Sequence, residues 1–386
     1  MKVKLKELGT ISTGNTPSKN ISEFYDSEDI GFVKPDIISD LQIEYIVNTS
    51  EYLSEAARTK ARIVKKDAVF VTCIGSIGKV GIAKGSEFAF NQQINAIEPN
   101  EKILSKYLAY SIWANKKKLQ AIANAPVVPI INKTQFGEFE IDITDDVDEQ
   151  GKIVELLDKV CTIIADRKSE LEKLDDLIKA RFVEVFGERG KVVPLTDYVW
   201  FQEGPGVRSV DFTLEGTILL TGSNINDNQI SFGYKSDRFI SDELANGKYA
   251  HFMCDKDDIL VVSSAIAPEK FDKKVTTVEE DKRYCLNTGI IRFKPNREVM
   301  TLGYFREFLK TDYFKHQVMA EMRGIAQMHF GPSHLKQMTI LLPESMTHQI
   351  EFEKFVEEVD KSKVAVQKSL DEAQRLFDSL MQKYFG

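Results

Sequence analysis

Gly75-Ser76-Ile77-Gly78-Lys79-Val80 sets two glycines, a hydroxyl and a lysine behind an apolar run, the materials of a phosphate cradle. The spacing excludes a nucleoside triphosphate site. Four residues should separate the glycines, and Ser or Thr should follow the lysine. Other reactive groupings are equally thin. No GxGxxG opens a helix, so no dinucleotide cofactor is expected. The Asn/Asp-Pro-Pro-aromatic tetrapeptide of amino-methyltransferases is missing. Glu280-Asp281-Lys282 fits the loose Glu-x-Lys of nucleases, a triplet common by chance. The five histidines form no HxxxH pair, and His329 and His334 read as loop polars. Cys73, Cys161, Cys254 and Cys285 are scattered, which predicts neither a zinc site nor a disulfide framework and fits a reducing cytoplasm. The expectation is a chain without catalysis, cofactor or metal.

What remains suits contact with nucleic acid. The segment 10–19 (TISTGNTPSK) is small, polar and turn-rich, and Thr13, Asn15, Thr16, Ser18 and Lys19 are candidate contacts. Thr72, Ser76 and Lys79 belong to the glycine-rich loop, where backbone can approach a sugar-phosphate chain closely. Ser263, Ser264 and Lys270 read as its counterpart in the second half, without the glycines. Asn91, Gln92 and Gln93 stand against Asn287 and Thr288 at a matched position whose side chains differ. Amides can read adenine, and differing residues would read different bases; a plain turn entering a strand is the bland alternative. Two further loops, NAPVVPIINK and RGIAQMH, add Asn132, Lys133, Arg323, Gln327 and His329, and Arg208 completes the set.

These loops recur because the chain repeats itself once. Gln150, Val160, Leu171, Leu177 and Phe186-Gly187 fall on Gln349, Val359, Leu370, Leu376 and Phe385-Gly386, at a constant offset of 199. Earlier matches are looser: Gly14 on Gly204, Asn91 on Asn287, Tyr107 on Tyr304. Each half reads as α+β. Strands are predicted at Asp67–Thr72 and Ile94–Ile97, then at Asp258–Val262 and Ile290–Phe293. Helical stretches follow at Ile103–Ala123 and Thr301–Met322. Closing strands are expected at Phe139–Ile143 and Met338–Leu342.

A long helix ends each half. Leu157, Val160, Ile164, Arg167, Leu171, Leu174, Ile178, Arg181 and Val185 alternate spacings of three and four. So do Val356, Val359, Lys363, Val366, Leu370, Ala373, Phe377, Leu380 and Tyr384. These are a/d seams, broken by Arg167, Arg181 and Lys363. Paired antiparallel, they would place the two domains about a pseudo-twofold axis, which suits duplex DNA.

A chain of 386 residues exceeds one ordinary core, and two domains are the default. No apolar run approaches a membrane span, and MKVKLKELGT lacks the apolar region of a signal peptide. The net charge of −8 opposes a simple nucleic-acid binder. The helices hold much of it: ten acidic against seven basic residues over 147–187, and eight against six over 346–386. The globular parts are therefore nearly balanced.

In this order the motifs are distinctive: KLKELGTISTGNTPSK, TCIGSIGKVGIA, FNQQINAIEPN and a DEQGKIVELLDKV…FVEVFG helix, then VVPLTDYV, DDILVVSSA, YCLNTGIIRFKPN and HQIEFEKFVEEV…MQKYFG. The chain resembles the DNA-specificity subunit of Type I restriction–modification systems over essentially its whole length. The resemblance implies target-recognition domains at 1–146 and 189–345, spacer helices at 147–188 and 346–386, and a bipartite, interrupted DNA target. It implies double-stranded DNA and two methyltransferase subunits as partners, with a motor–nuclease subunit in the restriction form. Methylation and cleavage would belong to those partners. SSAIAPEKF departs from the glycine-rich pattern in the second half, which puts the contacts there in question. A coiled-coil scaffold that binds only protein is the alternative; a stand-alone methyltransferase or nuclease is opposed by the missing motifs.

Overall fold

The structure is a computed structural model, and it describes all residues except 86, 124–127, 188–189, 234 and 321–327. The chain divides into two compact units. One comprises residues 1–168 with 367–386, the other residues 169–366.

The first unit is built on a five-stranded sheet. Its spatial order is Gly9–Thr13, Ile94–Pro99, Val69–Thr72, Val80–Ala83 and Glu44–Ile46. Val69–Thr72 is buried at every position, because the sheet is covered on both faces. A second sheet holds Ile30–Val33 parallel to Phe88–Phe90. Lys2–Lys4 pairs with Glu140–Asp142 and closes the unit.

The second unit repeats this plan. Val199–Glu203, Ile290–Pro295, Ile259–Val262 and Val275–Thr277 form the matching antiparallel sheet. Thr217–Leu220 runs parallel to Tyr284–Leu286 in the second sheet. Lys191–Pro194 pairs with Thr339–Leu342 as the closing ladder. The repeat read from the sequence is thus a repeat of topology.

The helical stretches after these sheets are each broken in two. Ser105–Ala114 and Lys116–Ala121 part at Asn115, whose Nδ2 donates to the Ser111 carbonyl at 2.9 Å. Leu302–Phe308 and Asp312–Ala320 part near Thr311, whose hydroxyl donates to the Phe308 carbonyl at 2.6 Å. Short polar side chains compete with the helix for its own carbonyls and end it.

Val147–Val185 and Met346–Phe385 are single helices of 39 and 40 residues. Within the second unit they run antiparallel, since Asp175 meets Lys363 at 2.5 Å and Phe182 meets Phe352 with ring centres 5.6 Å apart. Ile178, Val356 and Val359 are buried there, and Leu174 is packed against them. Leu171 is half-buried and Val366 buried. In the first unit, Leu157, Val160 and Phe377 are buried in one core, with Ile164 and Leu380 against it. Leu370 is half-buried. Toward the helix ends the buried face leaves the a/d seam for Phe182 and Phe186, and for Met381 and Phe385. There the helices pack on sheet-bearing domains as well as on each other. Phe385 lies 5.1 Å from Tyr107, and Phe186 lies 4.8 Å from Tyr304, between ring centres. Each helix therefore ends in the core of the half of the sequence it does not follow.

Candidate nucleic-acid interface

Four loops of the first unit meet at one edge of its main sheet. Gly14 N–H donates to the Ile94 carbonyl at 3.1 Å, and Asn15 N–H to the Phe90 carbonyl at 3.0 Å. Cys73 N–H donates to the Gln93 carbonyl at 2.7 Å, which ties the glycine-rich loop to the 91–93 turn. Gly75 N–H reaches the Pro129 carbonyl at 3.0 Å, and Ile74 bridges Ile130. The segments around 14–19, 73–79, 91–93 and 129–133 are therefore neighbours.

The second unit assembles the same edge. Gly204 N–H donates to the Ile290 carbonyl at 3.0 Å, and Thr288 N–H to the Pro205 carbonyl at 3.0 Å. Ser263 N–H donates to the Gly289 carbonyl at 2.8 Å. Ser264–Ile266 pairs with Met328–His329, as the glycine-rich loop pairs with 129–131. A Cβ on Gly14 would collide with the Asn91 carbonyl, and one on Gly204 with the Asn287 carbonyl. Only glycine allows this close approach of two turns.

The candidate residues sort into two kinds. Thr72 is buried, donates to the Ser76 carbonyl and accepts from Lys79 N–H at 3.0 Å, so it shapes the loop from inside. Asn91 is buried and bonded to Gln93 through both side-chain atoms at 3.0 Å. Asn287 is the matching turn brace, accepting from Thr288 N–H at 2.9 Å. Ser263 is fully buried. Thr13 donates to Asn95 at 2.6 Å. Asn15 holds the 60–62 turn, donating to the Lys60 carbonyl and accepting from Arg62 N–H, both at 2.7 Å. Apart from Ser263, whose buried hydroxyl has no partner among the described residues, these side chains are hydrogen-bonded within the protein.

The other kind faces solvent. Ser18, Lys19, Ser76, Gln92, Asn132, Lys133, Arg208, Lys270, Thr288 and His329 are exposed. Thr16 donates to Gln92 Oε1 at 2.8 Å and steadies that amide. Gln93 is half-buried. Asn132 also caps Lys133–Glu138, accepting from Gln135 N–H at 2.9 Å. His329 Nδ1 and Ser264 Oγ are 2.9 Å apart. Arg323 and Gln327 lie outside the described residues.

Two features escaped the sequence reading. Lys60 and Arg62 are exposed beside Asn15 and form no ion pair among the described residues. Their signal was present, since residues 58–66 carry five basic side chains and no acid. The counterpart of Lys79 is also Lys274, not Lys270. Thr72 N–H donates to the Lys79 carbonyl at 3.0 Å, and Val262 N–H to the Lys274 carbonyl at 3.1 Å. The different loop lengths between those strands hid the match.

The site holds little reactive chemistry. Burial pushes the Cys73 thiol up to about 12, so no thiolate forms at neutral pH. Glu280 is paired with Arg283, Lys282 with Asp255, and Asp281 accepts from Lys256 N–H at 3.1 Å, so that triplet does not converge. Among the described residues no cluster of His, Cys, Asp and Glu could hold a metal, and no helix is long and apolar enough to cross a membrane.

Residues 1–173 match the family described as the Type I restriction modification DNA specificity domain. That match covers a little under half of the chain. The specificity subunit of the Methanocaldococcus jannaschii enzyme MjaIX is 27% identical over 187 residues, covering 47% of this chain and 43% of that one. The Haemophilus influenzae HindI specificity subunit is 28% identical over 189 residues, covering 46% and 40%. The match thus spans less than half the length of these curated relatives. In fold the likeness reaches further. The crystal structure of a Type I S subunit from M. genitalium aligns with a TM-score of 0.56 at 16% identity, covering 100% of this chain and 96% of that one. A chain from a structure addressing assembly and conformational transition of the Type I system gives 0.59 at 15%, covering 100% and 97%.

Proposed function

We propose that this chain is the DNA-specificity subunit of a Type I restriction–modification complex, with each unit reading one half of an interrupted target. One observation carries the proposal: the same cluster of polar loops is built twice, on matching sheet edges, by different side chains. Equal scaffolds with unequal loops suit two unequal half-sites. The recognition domains are 1–146 and 189–345, and the helices 147–188 and 346–386 set the gap between half-sites. Gln92, Lys19, Lys133, Lys60 and Arg62 would face DNA in the first unit, and Arg208, Lys270, Thr288 and His329 in the second, with Arg323 and Gln327 beside them in sequence.

The partners are duplex DNA and two methyltransferase subunits, with a motor–nuclease subunit in the restriction form, working in the cytoplasm. The chain supplies the address, and catalysis resides in the partners. The decisive experiment co-expresses the chain with its methyltransferase in a methylation-free host and maps modified bases. A bipartite motif with a fixed gap is expected. Replacing 1–146 by another family member's first domain should change one half of that motif alone. Modification by the purified chain without its partner, or a motif that changes in both halves, would refute the proposal.

A further inference from the structure

Lys274 and Lys79 occupy one position of the repeated fold. Each stands immediately before a strand, Val275–Thr277 or Val80–Ala83, at the edge where the loops gather. Each sends its ammonium to the segment that follows the parallel strand of the second sheet. Lys79 Nζ donates to the Pro35 carbonyl at 3.3 Å. Lys274 Nζ donates to the Gly222 carbonyl at 3.2 Å, the Ile225 carbonyl at 2.7 Å and Asn226 Oδ1 at 2.7 Å.

An ammonium has three N–H donors. Lys274 uses all three within the protein and has none left for a phosphate oxygen. The segment it holds is a hairpin, Ile225–Asn226 paired with Gln229–Ile230. Asp227 and Asn228 both have positive φ, 47° and 62°, as its tight turn requires. Thr276 Oγ1 donates to the Asn228 carbonyl at 2.9 Å, and Asn228 N–H to the Lys273 carbonyl at 3.0 Å. The hairpin starts against the reading edge, for a Cβ on Gly222 would lie 2.9 Å from Val262, next to Ser263. It exposes Ser223, Asp227 and Gln229.

We propose that Lys274 is a positioning residue whose ammonium holds the 221–231 hairpin as a base-reading loop of the second unit, and that Lys79 does the same for the segment after Val33 in the first. The inference rests on the DNA-recognition reading above. The two roles differ in kind. A lysine on phosphate acts on every sequence alike, whereas a lysine that aims a loop acts on particular bases.

The test uses the full chain assembled with its methyltransferase, the salt dependence of DNA binding, and the map of modified sites. Lys274→Met should leave the salt slope unchanged and lose roughly tenfold discrimination at one or more bases of one half-site. The other half-site should be unaltered. A slope lower by about one ion with the base profile intact would mean a phosphate contact and overturn the proposal. An unchanged slope with an unchanged profile would overturn it too. Asn226→Ala removes one acceptor and keeps the lysine charge, and it should relax the same bases. If Lys274→Met does not fold, Asn226→Ala decides alone, and an intact profile in it refutes the role. A wild-type complex that modifies no defined sequence overturns the recognition reading itself, and this inference with it.

Discussion

Gln150 accepts a hydrogen bond from the backbone N–H of Leu104 at 2.9 Å while wholly buried. Its Nε2 donates to the Lys102 and Thr144 carbonyls at 3.0 and 2.9 Å. One amide thus joins the start of a long helix to two loops of the same unit. Gln349 repeats the arrangement with Thr301 N–H and the Val299 carbonyl, at 2.9 and 3.1 Å.

Gln150→Leu keeps the volume and leaves buried backbone groups without partners. Each such group costs about 1–3 kcal/mol, so a loss of roughly 3 kcal/mol is expected. Denaturant unfolding of the full chain measures it. Gln349→Leu should weaken the second unit by a similar or slightly smaller amount. A change below about 0.5 kcal/mol in both would show that the clamps contribute little.

The aromatic end of each long helix should stabilise the unit it packs in. Phe385→Ala removes the ring against Tyr107, and Phe186→Ala the ring against Tyr304. Each should cost about 3–5 kcal/mol. Hydrogen exchange localises the damage. Phe385→Ala should lower protection over 105–121, and Phe186→Ala over 302–320. The opposite pattern would contradict the packing described.

Much of this arrangement was legible before any coordinates. The constant offset of 199 followed from gapless helices, which tolerate no insertion without rotating the buried face. Strands such as Val69–Thr72 and Ile259–Val262 announced themselves as unbroken apolar runs. Lys274 was invisible because its match to Lys79 depends on strand register, and the intervening loops differ in length. Asn15, Thr72 and Asn91 looked like contacts because polar loop residues that brace a turn and those that meet a ligand have the same composition. Only hydrogen-bond partners separate them. Phe182 and Phe186 fell off the heptad because a helix end packed on a sheet domain obeys that domain's geometry.

Lys60 and Arg62 should carry electrostatic binding to the first half-site. Replacing either with Ala should lower the salt slope by about one ion and weaken all DNA sequences alike. Filter binding or fluorescence titration across salt concentrations reads this directly. Unaltered slopes in both variants would place the basic 58–66 segment away from the DNA.

A fragment of residues 1–187 lacks Phe377, Met381 and Phe385, which belong to the core of its unit. The matching end of a second copy can fill that place, since Phe186 falls on Phe385 in the repeat. The expected product is a homodimer of moderate affinity, because Arg167 and Arg181 stand in the seam. With the methyltransferase it should modify an interrupted palindrome. Sedimentation and methylome mapping test both parts, and a folded fragment that stays monomeric with the methyltransferase present would refute them.

The placement of Phe377, Met381 and Phe385 in the first unit also has a meaning for synthesis. Residues 1–168 leave the ribosome some two hundred residues ahead of the side chains that complete their core. Tyr107 and Trp113 stay without their Phe385 and Phe377 neighbours throughout that interval. A message cut short before codon 377 would yield a product whose apolar seat stays open until a second copy fills it, a ready substrate for cellular proteases in that interval. Within a single copy, the fold thereby makes the soundness of the first reading unit depend on translation having passed through the second.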